Sequence, residues 1–146
     1  MNNRQIIRDE IRSIFDYANK IGAERVTISD CMGNRQRFEL DTHAGFVDAV
    51  CEISQQLDND PSAGSIATFI GADGEEASWV YLTKIVGENG LRFPAQDWHF
   101  GPGYDETFTA KLQTELHHRE RTWLTRREIR EEQLDPNAEQ FGVISA

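Results

Sequence analysis

The sequence predicts an α+β fold with a mostly antiparallel sheet of about five strands in α-ββ-α-βββ-α order, its helices packed on one face. Three observations predict it. Apolar residues recur at spacings of three and four in three separated segments. Runs alternating with period two come in groups, joined by Gly, Asn and Asp residues that favour tight turns. Nowhere do single strands alternate regularly with single helices, the pattern a parallel sheet would need.

From Arg4 to Ile21 the residues Ile7, Ile11, Ile14, Phe15, Ala18 and Ile21 form one helical stripe. Asn2 with Gln5 three later can cap its start, and Gly22 ends it. Arg25–Ser29 and Arg37–Asp41 then alternate around Gly33-Asn34, which predicts a β-hairpin. Thr42 caps a second helix running to about Leu57, with Phe46, Val50, Ile53 and Leu57 inward and Asp58-Asn59-Asp60-Pro61 as its stop. Strands follow at Ser65–Ile70, Ser78–Val86 and Leu91–Phe93. Gly71-Ala72-Asp73-Gly74 and Gly87-Glu88-Asn89-Gly90 between them make an antiparallel meander the simplest connection. After Gly101-Pro102-Gly103 a long helix extends from about Asp105 to Gln133, and Asp135-Pro136 ends it. The expected core includes Ile11, Phe15, Phe46, Val50, Phe69, Val80, Leu82 and Leu112. Residues 1–134 are expected to form one domain and residues 135–146 a C-terminal tail, because a chain of 146 residues hides roughly 68–70% of its unfolded surface in one core.

Composition agrees with a folded chain: 38% of residues are hydrophobic, well above the disordered regime. The first residues carry no uninterrupted apolar stretch and no run of 18 apolar residues occurs, so neither secretion nor membrane insertion is expected. Two cysteines, Cys31 and Cys51, are too few for a disulfide framework, which points to a reducing cytoplasm.

Charge is distributed unevenly. Residues 39–115 hold fourteen Asp or Glu against Lys84, Arg92 and Lys111, whereas residues 1–38 are slightly basic and the whole chain carries −10. Such a field attracts cationic partners and repels nucleic-acid phosphates.

No motif of specific spacing accompanies this bias. Asp58-Asn59-Asp60-Pro61-Ser62 resembles the opening of a calcium loop, but Ala63 stands where the sharp turn needs Gly and Phe69 where a bidentate Glu is needed. A helix stop followed by a turn explains the same residues. His43, His99, His117, His118 and the two cysteines have no metal-site spacing, and neighbouring residues such as His117 and His118 point about 100° apart on a helix. Neither a metal nor a cofactor is therefore predicted. In Asp97-Trp98-His99 a carboxylate can orient an imidazole as a general base, yet no nucleophile motif or phosphate loop accompanies the pair. Phe93, Trp98, Phe100, Tyr104 and Phe108 either close one end of the core or anchor a partner, with Trp98 and Tyr104 as the candidate anchors. On the last helix, Leu112, Leu116, Arg119, Trp123, Arg126 and Arg130 share one stripe that turns from apolar to basic. It serves as a solvated face or as a contact with an acidic surface, including a second copy.

The reading that unites these observations is a small acidic binding or inhibitor protein of bacterial or phage type, resembling in physical profile immunity proteins and inhibitors of nucleic-acid-handling proteins. It would occupy a cationic surface of a protein partner through Asp58, Asp60, Asp73, Glu75, Glu76 and Glu88, with no direct nucleic-acid binding and no membrane contact. Two alternatives stand beside it: a small-substrate enzyme using Asp97 and His99, and an oligomeric accessory protein assembled through Arg119, Trp123, Arg126 and Arg130.

Overall fold

A computed structural model of the chain describes residues 3–30, 32–60, 63–84, 90–92 and 105–134, with 3–4 and 121–134 as helix backbone alone. The elements are α1 (Asn3–Lys20), β1 (Ala23–Ser29), β2 (Arg35–Glu39), α2 (His43–Asn59), β3 (Ser65–Gly71), β4 (Glu76–Lys84), β5 (Leu91–Arg92) and α3 (Glu106–Leu134). The α-ββ-α-βββ-α order read from the sequence is the order observed.

Local chemistry sets each boundary. The backbone closes α1 with a bond from Ile21 N to Tyr17 O (3.0 Å), and Gly22 then takes a φ of 128° that other residues resist. Between β1 and β2, Asp30 Oδ1 accepts from the backbone N–H of both Met32 and Asn34 (2.9 Å each), while Asp30 N–H bonds Asn34 O. Asn34 Nδ2 also donates to Asp30 Oδ2 (3.0 Å), and this bond is the largest cause holding the Asp30 carboxyl below its usual range, the backbone N–H donors adding to it. The loop closes so tightly that pairing starts at Ser29 opposite Arg35, two residues before the Arg37 start expected from the sequence. Thr42 is the cap of α2 as expected, its Oγ1 accepting from Gly45 N (3.2 Å).

All five strands are antiparallel to their neighbours, in the order β2-β1-β3-β4-β5. The hairpin and the meander thus join through β1 and β3, and α2 carries the chain from β2 across β1 to β3. Strand alternation sends Val26 and Ile28, Ala67 and Phe69, Val80 and Leu82 to one face, where they form a single cluster with Ile11, Ile14 and Phe15 of α1, Val50, Ile53 and Leu57 of α2, and Phe108, Leu112 and Leu116 of α3. The three helices therefore share one face of the sheet, with α1 packed against both α2 and α3. Phe69 lies at the centre, edge-on to Phe15 at 5.8 Å between ring centroids and tilted against Phe108 at 6.1 Å.

Of the expected core residues only Phe46 departs from expectation, being half-buried rather than buried. It lies in the first turn of α2 and packs against the core from its margin. The hydroxyl of Ser78, opposite Phe69 in the register, is fully buried and has no hydrogen-bond partner among the described residues. A buried donor left unpaired costs free energy that an alanine would not. Ser78→Ala is therefore expected to raise stability by about 1 kcal/mol in reversible denaturation; a loss instead would mean that the hydroxyl is satisfied in solution. Among the described residues no helix is long and apolar enough to cross a membrane.

Candidate functional site

The residues that gather charge lie where β3 passes into β4. Gly71 N bonds Glu75 O and Gly74 N bonds Gly71 O (3.0 Å each), Gly74 supplying a φ of 81°. Asp73 Oδ1 accepts from Glu75 N at 3.0 Å, so this carboxylate braces the turn. The turn is followed by a bulge: Phe69 faces Ser78 but Ile70 faces Glu76, leaving Ala77 as the extra residue on β4. Its carbonyl, freed from the ladder, accepts from Asp105 N (3.1 Å) and Thr109 Oγ1 (3.4 Å) and so pins the start of α3 to the start of β4. Asp105 Oδ1 in turn caps that helix by accepting from Phe108 N at 2.9 Å.

The consequence is a shallow depression of about 670 Å³ lined by Asp73, Glu75, Glu76 and Asp105 together with one cation, Arg37 of β2. All five side chains are exposed. Asp73 and Asp105 each commit an oxygen to backbone, whereas Glu75 and Glu76 make no hydrogen bond or ion pair with a described residue. Glu24 at the start of β1, Glu39 and Asp41 at the end of β2, and Glu106 in the first turn of α3 belong to the same end of the sheet. Glu39 is the most engaged of these, its Oε1 3.0 Å from Arg25 Nε; this contact is the main cause holding the Arg25 guanidinium protonated beyond its ordinary range. The arrangement presents exposed negative charge with little desolvation, so it suits reversible contact with cations.

Sequence reasoning named Asp73, Glu75 and Glu76 here but grouped them with Asp58 and Asp60, which the fold sends elsewhere. Asp58 and Asp60 precede β3, and Asp73 follows it; seven residues of strand separate the two sets by roughly 20 Å. Asp58 is half-buried and pairs with Lys84 at 2.9 Å, and Asp60 Oδ1 accepts from Ala63 N at 3.2 Å, so both carboxylates serve the exit from α2. Glu88, Trp98 and Tyr104 lie outside the described residues, as do Asp97 and His99. Arg119 turns towards its own chain: Nη1 donates to Ser13 Oγ of α1 (2.8 Å), and Nη2 lies 2.9 Å from Glu115 Oε1. Trp123, Arg126 and Arg130 follow on the same helix, and their side chains lie outside the described residues.

The contributions of Asp105 and Glu106 were missed, although a readable signal existed. An Asp immediately before a predicted helix with a Glu at its first position is a capping pattern, and it places two carboxylates at one helix start. No group of three or more His, Cys, Asp or Glu among the described residues is placed to hold a metal ion. His43 opens α2 and Cys51 lies eight residues later, which puts their backbones about 12 Å apart. Comparison of the chain with protein-family models, curated proteins and solved structures finds no match.

Proposed function

We propose that this chain is a binding protein without catalytic activity, and that its acidic sheet end occupies a cationic surface on a protein partner. The observation that carries this reading is the gathering of Asp73, Glu75, Glu76 and Asp105 around one exposed depression, with the Glu75 and Glu76 side chains making no hydrogen bond or ion pair with a described residue. An inhibitor of a nucleic-acid-handling protein, or an immunity protein to a toxin, needs such a surface, because its target presents cations arranged for phosphates. The same field disfavours direct contact with nucleic acid, since phosphates bring more negative charge to a chain already at −10. The sparse cysteine content supports action in a reducing cytoplasm.

The test uses the wild-type chain and the double variant Glu75→Lys, Glu76→Lys as parallel baits in extract of the native cell. Neither side chain supports the fold, so the variant should keep the wild-type melting curve. A basic protein retained by the wild type and lost from the variant is the expected outcome. Retention of the same proteins by both baits would place the binding surface elsewhere.

A further inference from the structure

We propose that two copies of this chain associate through the free edge of β2, pairing antiparallel about Phe38 so that the two sheets become one continuous sheet. Half of the backbone groups of β2 are already used by β1. Leu40 N donates to Glu24 O at 2.7 Å and Asp30 N to Asn34 O at 3.0 Å. In an antiparallel ladder the bonded pairs alternate, so Asn34, Gln36, Phe38 and Leu40 turn their backbone groups towards β1. Arg35, Arg37 and Glu39 consequently direct their N–H and C=O groups outward. No described strand takes them up, because β2 is the last strand of the sheet on that side. Four of its five residues are exposed, and Phe38 is half-buried.

An open edge is normally guarded by charge, since unpaired backbone groups invite another strand. Here the guard is arranged to cancel itself. Read outward from Phe38, the chain has Arg37 on one side and Glu39 on the other, then Gln36 and Leu40, then Arg35 and Asp41. An antiparallel strand of the same sequence, centred on Phe38, sets Arg37 opposite Glu39 of the second copy and Arg35 opposite Asp41 of the second copy. The two-fold axis repeats both pairs. Opposite charges facing each other across strands are favourable, and every other self-pairing centred within β2 opposes like charges: Arg meets Arg when the centre is Arg35, Gln36 or Arg37, and Glu39 meets Glu39 when the centre is Glu39.

The backbone parity fits the same register. Arg37 and Glu39 both point outward, so each would exchange two hydrogen bonds with its counterpart. Phe38, which points inward, would meet Phe38 of the second copy as a close non-bonded pair on the helix-covered face. Arg35 and Arg37 have no partner among the described residues, and Glu39 uses only Oε1 on Arg25, which leaves Oε2 for the second copy. A foreign strand would need acidic side chains at alternate positions to match these arginines; the chain's own β2 supplies them without further assumption.

Sedimentation equilibrium across about a hundredfold range of concentration reads the outcome. The wild type is expected to pass from monomer to dimer, more readily at low salt. Arg37→Pro removes an outward N–H that β1 does not use, so it should give a folded monomer at every concentration. Arg35→Glu and Asp41→Arg should each weaken association roughly tenfold by opposing like charges, and the double variant Arg35→Glu, Asp41→Arg should restore it, because the pairs are then reversed but complementary. This swap decides the matter if Arg37→Pro fails to fold. Hydrogen exchange should show the Arg35, Arg37 and Glu39 amides protected only in concentrated samples. The inference is overturned by a wild type that stays monomeric, by a dimer that survives a folded Arg37→Pro, by a double swap that binds no better than the single variants, or by β2 amides protected only when another protein is added.

Discussion

Phe69→Ala is expected to cost about 3–5 kcal/mol, the largest effect of any single truncation in this fold. Phe69 lies in the inward row of β3, fully buried, and touches both Phe15 of α1 and Phe108 of α3. Its removal leaves a cavity bordered by a central strand and two helices, none of which can close it without dragging the others. Phe46→Ala serves as the comparison. Phe46 is half-buried in the first turn of α2, so the loss there should be roughly 1–2 kcal/mol, because less apolar area returns to water. Chemical denaturation of both variants checks the pair. Equal losses would mean that the centre of the core is not where Phe15, Phe69 and Phe108 meet.

Gly64→Ala is expected to be nearly as damaging, at about 2–4 kcal/mol, for reasons of backbone rather than core volume. Gly64 leads the chain from the Asp60 turn into β3 at a φ of 70°. A methyl group there would stand 2.5 Å from Leu82 O and 2.7 Å from Thr83 Cγ2 on the neighbouring strand, so β4 must move as well. Gly74 separates the two effects. Its φ of 81° is equally unsuited to alanine, but nothing lies within 4 Å of the added methyl. Gly74→Ala should therefore cost only the left-handed strain, about 1–2 kcal/mol. If the two variants lose the same stability, the close approach of β4 to Gly64 contributes nothing.

The sequence made the elements legible because helical and strand periods are local signals, and because Thr42, Gly22 and the turn at Gly71-Ala72-Asp73-Gly74 mark boundaries by chemistry that acts over a few residues. The placement of the helices on one face was expected from the segregation of hairpins and helices along the chain. What was not legible depends on contacts distant in sequence. The pairing of β1 with β3 leaves no local trace, since α2 intervenes between hairpin and meander. Without it, the ends of the sheet cannot be assigned, and carboxylates in successive turns look like one group. An antiparallel sheet sends successive turns to opposite ends, which is why Asp58 and Asp60 part from Asp73, Glu75 and Glu76. Asp105 and Glu106 join the latter only because the Ala77 bulge offers its carbonyl to α3, and a bulge depends on register rather than composition. Phe46 was read from its helical spacing, which reports the face a residue occupies and not how far that face extends under its neighbours.

A docking surface at the acidic end would act on the rate of encounter as well as on the bound complex. Uncommitted surface carboxylates act chiefly before contact, by steering the encounter, so their influence should lie in the association rate and should be screened by salt. The most direct measurement is the association rate of the captured partner with the wild type and with Glu75→Lys, Glu76→Lys, followed over a series of ionic strengths. The account predicts a wild-type rate that falls steeply as salt is added, and a variant slower by about tenfold or more at low salt with a flatter dependence. Equal rates for the two proteins at low salt would contradict it.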